Sequence, residues 1–241
     1  AAIKPAMIVL GGSSIHKGAN SWQAARAVSC LPALIGSYGT SGGGLGPRHG
    51  SKSHGAGYSS IAANNMRRPG SYIPNQMSEI SAALGDGRIR VLLLFGSNIL
   101  SSYADSESIS DALERLDIVV CHDLFMNETS RRYADVVLPG TAWLEDIGCK
   151  ETNTHVYLMD RILEPAGEAW PLQDILRGLA DRLGVDEFYP WSSQEELLDA
   201  VLDHPATGHA TVASLRANGG NAALKISHFA YPTHEYDTPS G

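Results

Sequence analysis

The 241-residue sequence predicts an α/β protein, with layers of parallel sheet followed by a mostly helical C-terminal extension. Three observations predict it. Short runs at Ala6–Leu10, Val91–Phe95, Ile118–Cys121 and Asp135–Leu138 read as buried strands, the pattern of parallel sheets covered on both faces. Segments of helical periodicity fall between the runs, as parallel crossovers require. After Glu164-Pro165 the composition shifts to amphipathic helices.

In chain order, Ala6–Leu10 runs into the loop GGSSIHKGAN, and a helix is predicted over Ser21–Leu34, kinked or ended by Pro32. Gly36–Gly57 is dense in glycine, which is costly to order unless the backbone passes close to something. Its GPRHGSKS nearly matches the phosphate loop GxxxxGK[ST]. Ser51 stands where the second glycine belongs, and neither a strand before nor an apolar helix after supports that motif. Arg48, His49, Lys52 and His54 make the segment cationic. It is either a polar surface loop or a lining for anionic groups, with Arg48 the best bidentate donor.

A helix is expected around Gln76–Leu84, and the stretch Arg88–Asp123 then organises the chain. The strand Val91–Phe95 ends at Gly96-Ser97-Asn98, small residues that let a ligand approach the backbone. Asp105 or Ser106 caps a helix with Ile109, Leu113 and Leu116 inward and Glu107, Asp111 and Glu114 outward. A second strand, Ile118–Cys121, leads to Asp123. Strand, small-residue turn, helix, strand and acid form a Rossmann-like half-site, the turn facing phosphate and the acid a ribose hydroxyl. The turn is not GxGxxG, and many such units bind nothing, so a structural role for Asp123, capping the turn that starts at Leu124, stays open. The strand–glycine loop–helix pattern occurs near residue 10 as well as near residue 96, which fits either two ligand edges or ordinary tandem α/β units.

Beyond Asp123, a helical turn capped near Asn127 precedes the strand Asp135–Leu138, stopped by Pro139. LEDIGCKETNTH reads as a polar loop, its Glu145 and Asp146 either a general acid/base pair or simply solvated. His155–Leu163 is a further strand, and helices follow at Trp170–Leu183 (closed by Gly184), Ser193–Leu202 and Thr211–Ala217. A last strand is placed at Leu224–Ala230.

Net charge of −8 and a pI near 5.5 argue against nucleic acid or an anionic membrane as partner. No apolar run approaches the roughly 18 residues of a membrane span, and the N-terminus lacks a signal-peptide layout, which favours a cytoplasmic location. Cys30, Cys121 and Cys149 show no CxxC spacing and read as reduced core residues. Both ends look cut, the first entering a strand at once and the last stopping in a turn.

Several strings resemble the molybdopterin oxidoreductases, the family that includes formate dehydrogenase, periplasmic nitrate reductase and dimethyl sulfoxide reductase. IGSYGTSGGGLGP resembles the family's T-G-N-x-G-x-P-G-x-G, and FGSNILSS its G-x-N-P loop. DIVVCHDLFMNETSRRYADVVLPGTAWLEDIGCKETN resembles V-x-x-D-x-F-x-T-E-T-A-x-x-A-D-V-V-L-P followed by E-x-x-G-T-x-x-N. RGLADRLG and the closing TPSG also fit, the family continuing there into a β-barrel domain.

The resemblance implies a cofactor, molybdopterin guanine dinucleotide, two copies of which hold one molybdenum or tungsten. It places Gly96, Ser97 and Asn98 against the pyrophosphate or ribose of one copy, with Asp123 on its ribose or guanine. Gly12, Ser13 and His16, in a loop departing from the family's G-M-G-x-T-Q, lie near a pterin. Pro139 and Thr141 border the cofactor, and Glu145, Gly148 and Asn153 shape the loop around it. Formate dehydrogenases carry P-x-R-G-Q near the metal; Pro47-Arg48-His49-Gly50 matches its arginine and lacks its glutamine, which makes Arg48 and His49 the catalytic candidates.

The same resemblance predicts three regions. Residues 1–57 belong to one cofactor lobe, residues 58–165 form the guanine dinucleotide-binding lobe, and residues 166–241 are the helical extension. The cysteines for a 4Fe–4S cluster and the metal's protein ligand belong upstream, so the chain reads as the middle of a longer two-electron enzyme, itself inactive. Its partners are then a small-molecule substrate and a redox protein, and the cut chain self-associates through exposed apolar faces. The rivals are a nicotinamide dehydrogenase, for which no GxGxxG is present, and a structural subunit that keeps the fold without cofactor.

Overall fold

A computed structural model of the chain describes residues 4–10, 20–46, 66, 69–70, 72–152, 154–227, 229–236 and 238–239. It is a mixed α/β protein with parallel sheets. Chain contacts group the described residues into two compact units. One comprises those of Ala1–Ile61, Cys149–Leu158 and Asp199–Gly241, the other those of Ala62–Gly148 and Met159–Leu198.

The second unit is built on β3 (Val91–Phe95), β4 (Ile118–Asp123) and β5 (Val136–Pro139), a parallel sheet in that order. Register pairs Phe95 with His122, His122 with Leu138 and Asp123 with Pro139, so the three strands end together. On one face lie α2 (Met77–Gly85), α3 (Ile99–Ser102) and α4 (Ser106–Leu113). Leu84, Leu94, Ile99, Ile109, Leu113 and Val119 form the core between them. The Asp105 side chain accepts from the Ser108 amide and caps α4. The four-residue helix α3 has no counterpart in the sequence reading, which ran the turn straight through to Asp105.

The opposite face differs from the expectation of strands buried on both sides. Leu93 is 41% exposed, and Val91 and Val136, on the same face, are exposed as well. Between this face and α6 (Leu172–Leu183) lies a cavity of about 620 Å³, lined by Leu93, Phe95, Val120, Leu138, Ile175 and Leu179 among others. Five apolar residues in a row in β3 hide the two-residue period that would have marked one face as open. As expected, α6 closes at Gly184, whose φ of 65° is the left-handed conformation of a helix C-cap.

In the first unit, β1 (Met7–Val9) pairs in parallel with β2 (Gly44–Gly46), and α1 (Ser21–Leu34) accompanies them. β1 is not a buried strand: Val9 is 63% exposed. Pro32 lies inside α1 without ending it, and β2 falls within the segment read as glycine-rich loop. The remaining sheet orders β6 (Gly148–Glu151), β7 (His155–Met159) and β8 (Asn221–Ala223), with β7 and β8 antiparallel. Here β6 replaces part of the predicted polar loop, β7 stops short of Leu163, and β8 replaces the strand placed at Leu224–Ala230. Leu224 owes its burial to a core with Val156, Leu202 and Leu215, beyond the strand's end.

The remaining helices are α5 (Glu128–Tyr133), in the second unit, α7 (Gln194–Leu202), within which the unit boundary falls, and α8 (Val212–Ala217). α8 starts at a capping box of Thr211 and Ser214. Among the described residues, no helix is long and apolar enough to cross a membrane.

Candidate functional site: the carboxyl edge of the parallel sheet

Where β3, β4 and β5 end, three turns meet. The Gly96 amide donates to the His122 carbonyl (2.8 Å) and the Gly140 amide to the Asp123 carbonyl (3.0 Å). These bonds carry the ladder one residue past each neighbouring strand and pin both glycine turns to the last two residues of β4. Gly96 has a φ of 59°, and a Cβ there would meet nothing within 4 Å, so the edge is open above it. Gly140 is the opposite case: a Cβ would lie 2.9 Å from Cε1 and 3.0 Å from Nε2 of His122, closer than a side chain tolerates.

The polar residues picked from sequence are divided between this edge and internal bracing. Ser97 is half-buried beside Gly96. Asn98 turns inward: its Oδ1 accepts from the Thr129 hydroxyl (2.7 Å) and its Nδ2 donates to Ser101 (3.0 Å). Thr129 is fully buried on α5 and also accepts from the Leu100 amide (3.2 Å). Asp123 accepts from the Leu124 amide (2.7 Å) and from Asn127 Nδ2 (2.8 Å), while Asn127 Oδ1 caps α5 at the Ser130 amide (3.0 Å). The cap of α5 is thus Asn127, and Asp123 braces the loop between strand and cap.

Beyond β5, the Thr141 hydroxyl donates to Asp146 (3.1 Å), whose other oxygen accepts from the Ile147 amide (2.8 Å). Burial pushes the Asp146 carboxyl above its usual range against these bonds. Glu145 accepts from the Ala142 and Ala166 amides (2.8 and 3.0 Å). The two acids face different partners and hold the turn after Pro139, so they are neither an acid/base pair nor merely solvated.

His122 is the residue that sequence reasoning missed. It shares a sheet face with Leu93, Phe95 and Val120, and its Nε2 is enclosed without a hydrogen-bond partner. The available signal was a polar ring in an apolar strand, one position before the edge acid. Leu124, Phe125 and Met126 follow Asp123 as an exposed apolar loop, with Phe125 79% exposed. Cys121 points into the core, where burial and the Asp123 charge push its thiol up, whereas Cys30 is exposed rather than a core residue. Gly12, Ser13, His16, Arg48, His49 and Asn153 lie outside the described residues. Among the described residues, no group of three or more His, Cys, Asp or Glu side chains is arranged to hold a metal ion.

The sequence profile described as "Molybdopterin oxidoreductase" matches residues 2–182, three quarters of the chain. The chain belongs to the molybdopterin oxidoreductase family. It is 30% identical over 216 residues to "Probable oxidoreductase YoaE" of Bacillus subtilis, a match covering 85% of this chain and 30% of that protein. It is 32% identical over 114 residues to "F420-dependent formate dehydrogenase subunit alpha" of Methanocaldococcus jannaschii, covering 47% and 17%. Among solved structures, "Acetylene Hydratase from Pelobacter acetylenicus" superposes with a TM-score of 0.54 at 26% identity over 65% of this chain and 22% of that one. The chain therefore spans less than a third of the length of these relatives. Family membership implies a molybdopterin cofactor with molybdenum or tungsten.

Proposed function

We propose that this chain is the central cofactor-binding part of a molybdopterin-dependent oxidoreductase. In this reading the carboxyl edge of β3–β5, Rossmann-like in layout, holds one molybdopterin guanine dinucleotide. The observation that carries it is the convergence of Gly96, Asp123 and Gly140 at one sheet edge, each strand end tied to the next by a backbone hydrogen bond. The residues present fit a nucleotide: open space above Gly96, a close-approach glycine at 140 and an orphaned ring nitrogen between them.

When bound, the cofactor supplies two-electron chemistry at its metal, and the protein's share is binding and orientation. Gly96 and Ser97 line the approach of the pyrophosphate. Asp123, with two lone-pair positions taken by Leu124 and Asn127, offers the remaining ones to a ribose hydroxyl or guanine. Asn98 acts from behind, fixing the turn to α5 through Thr129. Pro139 and Thr141 border the site. We place residues 58–165 in this lobe, residues 1–57 (with Gly12, Ser13, His16, Arg48 and His49) against the second copy and the substrate, Asn153 in the loop around the cofactor, and residues 166–241 as the helical extension. The 4Fe–4S cluster and the metal's own ligand then belong to other parts of the enzyme, and formate dehydrogenase- or nitrate reductase-like redox is the activity class.

The test is nucleotide retention. The purified 241-residue protein should bind guanosine 5′-diphosphate in calorimetric titration, while showing no turnover of formate or nitrate. In the complete enzyme, Arg48→Ala should lower turnover and leave molybdenum and pterin contents unchanged. A chain that binds no guanine nucleotide sinks the reading in favour of a structural subunit.

A further inference from the structure

We propose that Tyr231 and Tyr236 form an oxidative modification site, a phenol pair that one-electron oxidants join, through one ring carbon of each, into a dityrosine. The pair belongs to the first unit, and its chemistry does not depend on the nucleotide reading above.

Residues 229–236 wrap back onto the turn that follows α1. His234 Nε2 donates to the Tyr38 carbonyl (3.0 Å), a bond between residues 196 positions apart. Two left-handed residues shape the wrap, Tyr231 with a φ of 55° and His234 with a φ of 60°, and the His234 amide donates to the Tyr231 carbonyl (3.1 Å). Neither is a glycine, so docking must hold a conformation that side chains disfavour. The seat is tight: a Cβ on Gly39 would lie 2.8 Å from the Tyr231 carbonyl oxygen and 2.9 Å from the Pro232 Cα.

This reversal folds Tyr236 back beside Tyr231. Their ring centroids are 4.9 Å apart, with the planes tilted by 43°. Tyr38 stands edge-on to both, at 5.8 and 6.2 Å, and its hydroxyl donates to the Ser29 carbonyl (2.8 Å). Burial, and then the hydroxyls of Tyr231 and Tyr236, push the Tyr38 phenol above its usual range, so the three hydroxyl ends lie together. A phenoxyl radical carries its reactive spin at the carbons beside the hydroxyl, on that shared end. A T-shaped contact sets the edge of one ring on the face of the other and keeps two such carbons apart. The tilted pair of Tyr231 and Tyr236 has no such bar. Tyr231 is 43% exposed, open to an oxidant from solution, and Tyr236 is half-buried.

Two one-electron oxidants are consumed per link. Each takes an electron from one phenol, whose hydroxyl proton passes to water. The two phenoxyl radicals form a carbon–carbon bond beside their oxygens, and each ring hydrogen displaced there returns to its own oxygen as the ring regains aromaticity. The protein loses two hydrogens, and the wrapped shape around Gly39 becomes covalent.

The experiment uses the 241-residue protein and photogenerated tris-bipyridyl ruthenium(III), with persulfate as the final electron acceptor. Monomer is isolated, its dityrosine fluorescence is measured, and the link is located by peptide mass spectrometry. The expected result is one dominant intrachain link, Tyr231 to Tyr236. Tyr231→Phe and Tyr236→Phe should each lower the fluorescence about tenfold, and oxidation in urea should do the same, because the fold no longer holds the rings in contact. Tyr38→Phe, which keeps the edge-on ring, should leave the yield within about twofold of wild type. Links confined to other tyrosines, or formed only between chains, overturn the pair. An equal yield of the Tyr231–Tyr236 link in urea overturns the part played by the fold. Should a phenylalanine variant fail to fold, the link mapped in wild type, with and without urea, decides the matter alone.

Discussion

Leu93 and Leu94 are neighbours in the same strand, and the sheet treats them differently. Leu94, 8% exposed, packs with Leu84, Ile109 and Val119 under α2 and α4. Leu93 fronts the cavity beside α6, on the face that ends in His122. One face of the sheet carries the stability of this unit, and the other carries the unpartnered ring nitrogen of His122. An apolar run therefore tells where a strand is and leaves open which of its faces the chain covers.

That contrast can be broken by substitution. The largest effect is expected from Ile109→Ala, which empties a site 1% exposed at the centre of the covered face. Urea unfolding should show a loss of about 2–5 kcal/mol, and a loss below 1 would mean the covered face is not the stabilising one. Gly140→Ala should cost about 1–3 kcal/mol, because its Cβ collides with the His122 ring, and should weaken guanosine 5′-diphosphate binding too. Leu93→Thr, on the open face, should stay within about 0.5 kcal/mol of wild type.

The smallest effect is a slope. The folded pKa of Asp146 is raised by burial, so the folded protein holds this proton more tightly than the unfolded chain. Its contribution is full below the ordinary titration range of an aspartate and is lost as pH rises through the raised folded value. Asp146→Asn should flatten the stability profile across that window, and an unchanged slope would assign it to another group.

The legible parts of the fold were those in which a local rule acts alone. Ser21–Leu34 and Val91–Phe95 sit where periodicity put them, and Asp105, Asn127 and Gly184 cap the helices they were expected to cap. The parts that escaped depend on distant partners. β6 has no apolar alternation of its own and exists because β7 lies beside it, and β8 forms three residues before the buried Leu224 that seemed to mark it. At the site, the small-residue turn Gly96-Ser97-Asn98 after one apolar run and Asp123 after the next revealed the edge. No pattern in the sequence shows that Asn98 bonds to Thr129, that Asp123 also accepts from Asn127, or that the Nε2 of the neighbouring His122 is left without a partner.

The bond between Thr129 and the Leu100 amide has a consequence for the order of folding. A four-residue helix is too short to sustain itself, and the Asn98 side chain makes no capping bond to α3. One of its free amides is satisfied instead by a hydroxyl 29 residues later in the chain. α3 can then persist only after β4 has paired and α5 has docked, so a local element waits on a non-local closure. The Leu100 amide should exchange with solvent at the rate set by α5 opening, and Thr129→Val should release it while amides in the middle of α4 stay protected. Slow exchange at Leu100 in that variant would show that α3 forms on its own.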